Sequence, residues 1–313
     1  MSMATFNTRK SVSEIVSLGE TFTRRPMTES DLWEVDKLTS QNHHDQGLAN
    51  LQLNFHTSPS GFAVATKPDG EIVGMESNND MSNGLRYSAA VLVSEDYRGR
   101  GLTKLFSGPG NFGSATPFSL RQLSKDVSVL RQKNNSFYGM PHLGKLGQLA
   151  QTYKYRLEPI SSDNIQDVIN YDKHILPEVE RSAYMREWCV PQRFQTRAAG
   201  LAAYDAARNV CGFGVLREYS GFIYLTPLYA DSDDVARELF IQLVRLQRQL
   251  WGMRYLCFFG PAGRRVNAEI GHCLGLDIME PEMFWHSDDA KTVSYCQKIR
   301  FDKAYSVLDF WPV

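Results

Sequence analysis

The hydrophobic and polar positions divide the chain into elements that occur in nearly the same order twice. After a polar leader over residues 1–21, Thr28-Glu-Ser-Asp31 supplies a capping residue and an acid three positions on, and Leu32, Val35 and Leu38 follow at helical spacing. That predicts a first helix. Two short apolar runs, Gly61–Thr66 and Glu71–Glu76, flank the turn signal Pro68-Asp69-Gly70 and predict a β-hairpin. A polar loop over residues 77–84 leads to a third strand, Arg86–Val93, after which the period changes from strand to helix through Phe106. Residues Ser107–Pro117, rich in Gly, Pro and small polar side chains, predict a loop, and helical signal resumes from Phe118 to Gln132.

The second half repeats this order. Ser161-Ser-Asp-Asn164 opens a helix through Leu176, and Pro177–Cys189 gives another. Strands are predicted at Gly200–Tyr204, Gly212–Leu216 and Phe222–Leu225, then a long amphipathic helix from Asp231 to Leu250. A strand at Arg254–Phe259, a helix at Gly263–Leu274 and a strand around Met283–Trp285 complete the copy. The expected fold class is α+β, a mixed and mostly antiparallel sheet between helices, in two tandem units of 22–156 and 157–313.

Composition narrows the function. The 313 residues carry 34 Lys plus Arg against 35 Asp plus Glu, a formal net charge of -1, so no cationic surplus is available for a phosphate backbone and no nucleic-acid partner is expected. The five cysteines fall in the second half and never form CxxC, which argues against a disulfide frame or zinc site. The amino terminus lacks the apolar stretch of a signal peptide, and no apolar run is long enough to span a bilayer. A cytoplasmic protein without a membrane partner is expected. His43-His44 precedes an Asp, yet neighbouring residues on a loop cannot easily ligate one ion without further partners, and no metal is expected.

The chemistry concentrates in Val91-Leu-Val-Ser-Glu-Asp-Tyr-Arg-Gly-Arg-Gly-Leu-Thr103. A strand delivers the chain to a turn containing Gly99 and Gly101, where backbone can approach a ligand and unpaired amides face outward. Arg98 and Arg100 add positive charge, so the natural occupant is a phosphate or pyrophosphate. Taken alone, Arg-Gly-Arg-Gly also reads as a solvated basic turn or an arginine-glycine tract. The segment lacks the Gly-Lys-Ser/Thr of an ATP loop and the third glycine of a dinucleotide fold.

These residues resemble the GNAT superfamily of acyl-CoA N-acyltransferases. Val91-Leu-Val93 is similar to the family's cofactor strand, Glu95-Asp-Tyr97 to the bend, and Arg98-Gly-Arg-Gly-Leu-Thr103 to its Gln/Arg-x-x-Gly-x-Gly/Ala loop, with Thr103 in place of the last small residue. The preceding hairpin, ending in Ile-Val-Gly, fits as well. The resemblance implies that acetyl-CoA is the co-substrate, with its pyrophosphate on the amides of Arg98, Gly99, Arg100, Gly101, Leu102 and Thr103. It further implies that the Leu92–Val93 backbone pairs with the pantetheine arm and supplies the oxyanion donor.

Acyl transfer to an amine also needs a base and an acid for the departing thiolate. Tyr138, in Asn134-Asn-Ser-Phe-Tyr138, resembles the family's helical acid, against the reading of a structural aromatic with a satisfied hydroxyl. Glu76, two positions after Gly74 at a strand end, is the candidate base or a solvated carboxylate. In the second half, Asp231, Asp233 and Asp234 stand where the cofactor loop would be, so that copy is expected to lack its own cofactor site. Tyr171-Asp172 and Glu180-Arg181 offer either a structural ion pair or a clamp for a substrate carboxylate. The expected function is acetyl transfer from acetyl-CoA to the primary amine of a small molecule; a catalytically silent acyl-CoA sensor is the alternative.

Overall fold

The structure is a computed structural model that describes residues 13–42, 47–80, 86–106, 112–115, 133–149, 154–191, 197–219, 221–252, 254–287 and 294–306. The predicted helix over Phe118–Gln132 and the His43-His44 pair lie outside the described residues. The strands of the chain join one continuous sheet. In the first half they are β1 (Glu14–Ser17), β2 (Glu20–Pro26), β3 (Phe62–Thr66), β4 (Ile72–Asp80), β5 (Arg86–Val93), β6 (Phe112–Ala115) and β7 (Lys133–Gly139). The second half adds β8 (Arg156–Pro159), β9 (Ala198–Tyr204), β10 (Val210–Tyr219), β11 (Phe222–Ala230), β12 (Tyr255–Pro261), β13 (Asp277–Ser287) and β14 (Ala304–Ser306).

Helices α1 (Leu32–Gln41), α2 (Leu48–Thr57), α3 (Ile165–Ile175) and α4 (Ser182–Cys189) cover one face. Leu32, Val35 and Leu38 of α1 pack with Leu51 and Phe55 of α2 on Val64, Met75 and Leu92. Leu53 of α2 joins the cluster built on α3 and α4, which places all four helices on the same side. Helices α5 (Asp233–Trp251) and α6 (Arg265–Leu274) cover the other face, where Leu239 and Phe240 meet Phe137 and Phe258. Each fully buried side chain of this size contributes about 1.5–3 kcal/mol. The architecture is therefore α+β, with helices on both faces of a mostly antiparallel sheet. No helix among the described residues is long and apolar enough to cross a membrane.

Strand order does not follow chain order at the centre, where β5, β6, β13, β7 and β12 are successive neighbours. A strand from near the end of the second half thus lies between two strands of the first. Ala115 of β6 opposes Phe284 of β13, which opposes Lys133 of β7.

Three expectations are corrected. The leader is partly ordered: β1 and β2 form a hairpin whose Phe22 is fully buried against Leu102 and Leu105. The expected loop over Ser107–Pro117 contains β6, whose Phe-Gly-Ser-Ala sequence has little strand propensity and takes its conformation from β13. The helix expected from the glycine turn through Phe106 is a 3-10 turn over Leu102–Leu105, after which Phe106 is extended.

Arg217 of β10 locks the halves together. Its guanidinium is fully buried, lies 4.2 Å from the Trp188 ring, and donates to Asn50 Oδ1 of α2 at 2.7 Å and to the Trp188 carbonyl near the α4 C-terminus. A cation on the last turn of a helix is favoured by the dipole. Arg217→Leu strands those two acceptors, and we expect a loss of about 2–4 kcal/mol in urea unfolding. At the start of α1, Asp31 accepts from the Thr28 amide at 2.8 Å and from Arg25. The Arg25 hydrogen bonds hold its carboxyl at about 2. Its stabilising contribution is complete above the ordinary carboxylate value near 4 and is lost as pH falls through about 2. Asp31→Asn is expected to cost about 1 kcal/mol at neutral pH, with the gap to the native chain narrowing in unfolding curves taken between pH 4 and 2.

Candidate active site

The site grows from a short parallel pairing. β5 pairs with β6 only at Tyr87↔Phe112 and Ser88↔Gly113, although β5 runs on to Val93. On its other edge β5 pairs with β4 throughout, with an irregularity between Ser77 and Asn78 that adds a residue to β5. The Ser94 amide donates to the Val73 carbonyl at 2.9 Å. Antiparallel alternation then makes Val93↔Gly74 and Val91↔Glu76 the non-bonded pairs, so the amides of Val93 and Val91 point away from β4 toward the open edge. Among the described residues no strand pairs with that edge beyond Ser88. The Leu92 amide, by the same alternation, is turned to β4.

The turn lies at the end of that edge. Gly99 and Gly101 have φ of +77° and +78°, the left-handed region open to glycine without strain. Among the described residues, the backbone amides of 99–103 donate to no backbone carbonyl outside the 3-10 turn, whose first bond runs from Lys104 to Gly101. Successive unpaired amides around left-handed glycines form an anion-binding concavity that does not depend on a long helix.

The two arginines differ. Arg100 is neutralised by Glu20 at 2.6 Å and stacks on Tyr97 at 4.8 Å. Arg98 donates to Asn42 Oδ1 at 2.6 Å and to the Val93 carbonyl at 3.3 Å, and has no carboxylate partner among the described residues. Thr103 and Lys104 are exposed beside it, and Leu102 is buried as an anchor. Lys104 was not singled out by sequence; its position one turn into the segment after Gly101 was the available signal.

The catalytic candidates are separated. Glu76 lies within β4, not at a strand end as expected, and is fully buried, paired with Arg24 at 3.1 Å and accepting from Asn78 Nδ2 at 2.6 Å. Its neighbour Met75 packs under α1 and α2, so Glu76 points to the opposite face, beside Val91. Tyr138 is on β7, a strand rather than the expected helix, opposite Cys257 and Asp277. Its neighbour Phe137 packs beneath α5 and α6, which turns Tyr138 to the α1–α4 face. The structure brings Leu92, Val93 and residues 98–103 together, keeps Glu76 one strand away, and places Tyr138 three strands from β5 on the other face.

The second half shows the same divergence with a different outcome. β11 and β12 pair in parallel only over Phe222–Tyr224 and Tyr255–Cys257. Beyond that point β14 enters between them, with Leu228 opposite Ser306 and Tyr229 opposite Ala304. Ser306 Oγ donates to the Leu225 carbonyl at 2.6 Å, and Asn267 donates to the Tyr305 carbonyl at 2.9 Å. At Gly260 a Cβ would stand 2.6 Å from that carbonyl, so β12 needs glycine to admit β14.

The carboxylates at the start of α5 are likewise engaged. Asp231 accepts from Tyr171 at 2.9 Å and from Lys303 at 2.7 Å, and Asp233 accepts from Tyr305 at 2.6 Å. Burial, then the neighbouring carboxylate, pushes both phenols well above their usual range. Asp172 and Arg181 form a buried bidentate pair within the second half, the structural alternative of the two expected. Among the described residues no group of three or more His, Cys, Asp or Glu is placed to hold a metal. None of the five cysteines forms a disulfide, and burial pushes Cys211 up to about 12, far from a reactive thiolate.

Among the described residues other than its chain neighbours, a Cβ placed on Gly99 would meet no atom within 4 Å, so a side chain there meets backbone strain. Gly99→Ala is therefore expected to cost about 1–2 kcal/mol in urea unfolding, and an unchanged midpoint would contradict the left-handed turn.

Comparison with known proteins bears on the fold. Residues 168–251, from α3 through α5, match the sequence model of an acetyltransferase (GNAT) domain. No curated protein sequence matches the chain. Among solved structures, a Pyrococcus horikoshii protein named as a candidate acetyltransferase is 16% identical, with a TM-score of 0.64, over 93% of this chain and 96% of that one. A tandem GNAT protein from the clavulanic acid biosynthesis pathway, solved without acetyl-CoA, is 12% identical with a TM-score of 0.61 over 85% and 98%. Saccharomyces cerevisiae N-myristoyltransferase with bound myristoyl-CoA is 10% identical, with a TM-score of 0.57 over 88% and 80%. The chain shares its fold with these GNAT proteins, and its residues 168–251 match the sequence model of a GNAT domain.

Proposed function

We propose that the protein is an acyl-CoA-dependent acyltransferase whose cofactor site lies in the first half, and that it transfers an acetyl group from acetyl-CoA to the primary amine of a small molecule. The observation that carries the reading is the contrast between the two diverging strand pairs. In the first half, the edge of β5 presents the Val91 and Val93 amides beside a glycine turn whose amides, among the described residues, donate to no carbonyl outside the 3-10 turn. In the second, the equivalent gap holds β14 and the turn holds carboxylates.

The residues present fit the co-substrate. The pantetheine arm contains two amides and, when extended, offers a strand edge the donors and acceptors of a peptide. The amides of Gly99 to Thr103 suit the pyrophosphate, with Arg98 and Lys104 supplying the charge that Arg100 spends on Glu20. In the transfer a neutral amine attacks the thioester carbon, the carbonyl oxygen becomes an oxyanion, and the carbon–sulfur bond breaks as the thiolate takes a proton. The Val93 amide is the donor placed to stabilise that oxyanion. Glu76 relays a proton through water rather than directly, because Arg24 and Asn78 occupy its oxygens. The small acceptor is supported by the near-zero net charge, which gives no surface for a polyanion, and by the second half continuing the sheet beside the site.

A second reading rests on a specific observation: neither Tyr138 nor any other acid among the candidates adjoins Val93, as expected of a silent acyl-CoA sensor. The two are separated by titration and turnover. Calorimetry is expected to show acetyl-CoA binding that Arg98→Glu combined with Gly101→Glu abolishes; binding that survives this pair of changes contradicts the proposed site. Release of free thiol from acetyl-CoA with a panel of primary amines supports the enzyme, and binding without thiol release across that panel supports the sensor.

A further inference from the structure

The last turns of α5 carry two arginines whose charge is not answered by a carboxylate. Arg237, earlier on the same helix, shows the ordinary arrangement: it pairs with Asp234 at 3.1 Å and with Glu269 of α6 at 3.3 Å. Among the described residues, Arg245 and Arg248 have neither an ion pair nor a hydrogen-bond acceptor. An arginine at a helix C-terminus commonly bonds the last carbonyls. Here the Gly252 amide serves the Arg248 carbonyl at 3.1 Å. Their spacing of three places the two side chains on one face of α5, about a turn apart.

The sequence shows why no acid lies close along the chain. Residues 239–268, which include the last turns of α5, contain no Asp or Glu. Residues 127–157 contain none either. The two stretches meet where a 3-10 turn over Leu143–Gln148 packs on α5, with Leu146 buried beside Leu243 and Val244. Lys145, exposed on that turn, adds a further positive charge. A net charge of -1 over the whole chain therefore conceals a local surplus at this contact.

Between the turn and α5 lies a cavity of about 510 Å³, lined by Leu143, Leu146, Arg245, Arg248 and Gln249. That is the size of a small-molecule site and too small for a polymer. Its lining selects the occupant. Two guanidinium forks one turn apart suit a head with two negative charges and several oxygens. A phosphate monoester has both, whereas a carboxylate has one charge and would leave a guanidinium uncompensated. The negative end of α5 opposes an anion with about half a unit charge, less than the two arginines supply. Leu143 and Leu146 offer no polar side-chain atom and suit a hydrocarbon body.

We propose that this cavity binds a small organic phosphate, a monoester whose head is clamped by Arg245 and Arg248 and whose apolar body lies on Leu143 and Leu146. The site draws one wall from the turn that follows β7 and the other from the second half. It shares no residue with the glycine turn at 98–103 and does not depend on the cofactor assignment there.

Calorimetric titration of the full chain with phenyl phosphate tests it, with inorganic phosphate and benzoate as comparisons. Phenyl phosphate is expected to bind at least about tenfold more tightly than either, because inorganic phosphate lacks the apolar body and benzoate lacks the second charge. Arg245→Ala combined with Arg248→Ala is expected to weaken phenyl phosphate at least about tenfold while leaving the urea midpoint nearly unchanged, since neither arginine has a partner to lose. Arg248→Gln alone, at an exposed position, is expected to weaken it in the same direction and serves if the double variant does not fold. Arg98→Glu combined with Gly101→Glu is expected to leave phenyl phosphate affinity unchanged. Affinity lost in that variant places the probe on the glycine turn and overturns the cavity site, with the cofactor assignment left standing. The proposal is likewise overturned by absence of phenyl phosphate binding, by affinity no greater than that of benzoate or inorganic phosphate, or by affinity undiminished when the two arginines are removed.

Discussion

The divergence of two parallel strand pairs governs the rest of the structure. Parallel neighbours need crossovers and form less stable ladders than antiparallel ones, so a pair that touches over two or three residues and then separates is held apart by what surrounds it. β5 and β6 separate after Ser88, and β11 and β12 after Tyr224. Each separation opens backbone donors and acceptors that require partners inside a three-layer protein. In the second half the chain provides the partner itself, as β14, with Gly260 thinned to admit it. In the first half the edge of β5 beyond Ser88 pairs with no strand among the described residues and ends at the glycine turn, whose amides donate to no described carbonyl outside the 3-10 turn. The asymmetry between the copies is an asymmetry in who satisfies the exposed backbone.

The halves are not independent layers joined by a linker. Insertion of β13 between β6 and β7 makes the sheet continuous, and on the helical face Arg217 couples α2 of the first half to α4 of the second. A fully buried guanidinium tolerates no free movement of those helices, because its acceptors are one side-chain amide and one carbonyl near a helix end. The second half therefore acts on the first through backbone placement and through a buried cation, even though its own turn carries Asp231 and Asp233.

Elements with strong local signals were legible in the sequence. The Pro68-Asp69-Gly70 turn, the Thr28–Asp31 box and the apolar stripe of α5 each carry their conformation in adjacent residues, and each appears within a few positions of its expected bounds. The Arg98–Thr103 turn was legible for the same reason. What was not legible depends on distant partners. β6 has the composition of a loop and is a strand because Phe284–Ser287 pairs with it. Glu76 reads as a strand-end carboxylate until Arg24, far earlier in the chain, is seen to neutralise it. Tyr138 sits in a motif that resembles a helical box, yet Phe137 and Phe258 stack at 4.4 Å and fix that segment in the middle of the sheet.

Among the described residues one diverging pair keeps an unpaired edge and the other is closed by the chain. A crystal structure of the full chain grown with coenzyme A distinguishes the two as sites. One coenzyme A per chain is expected, with its pyrophosphate on the amides of residues 99–103 and its arm alongside Val91 and Val93. Coenzyme A found between β11 and β12 with β14 displaced, or bound away from both strand pairs, would contradict it.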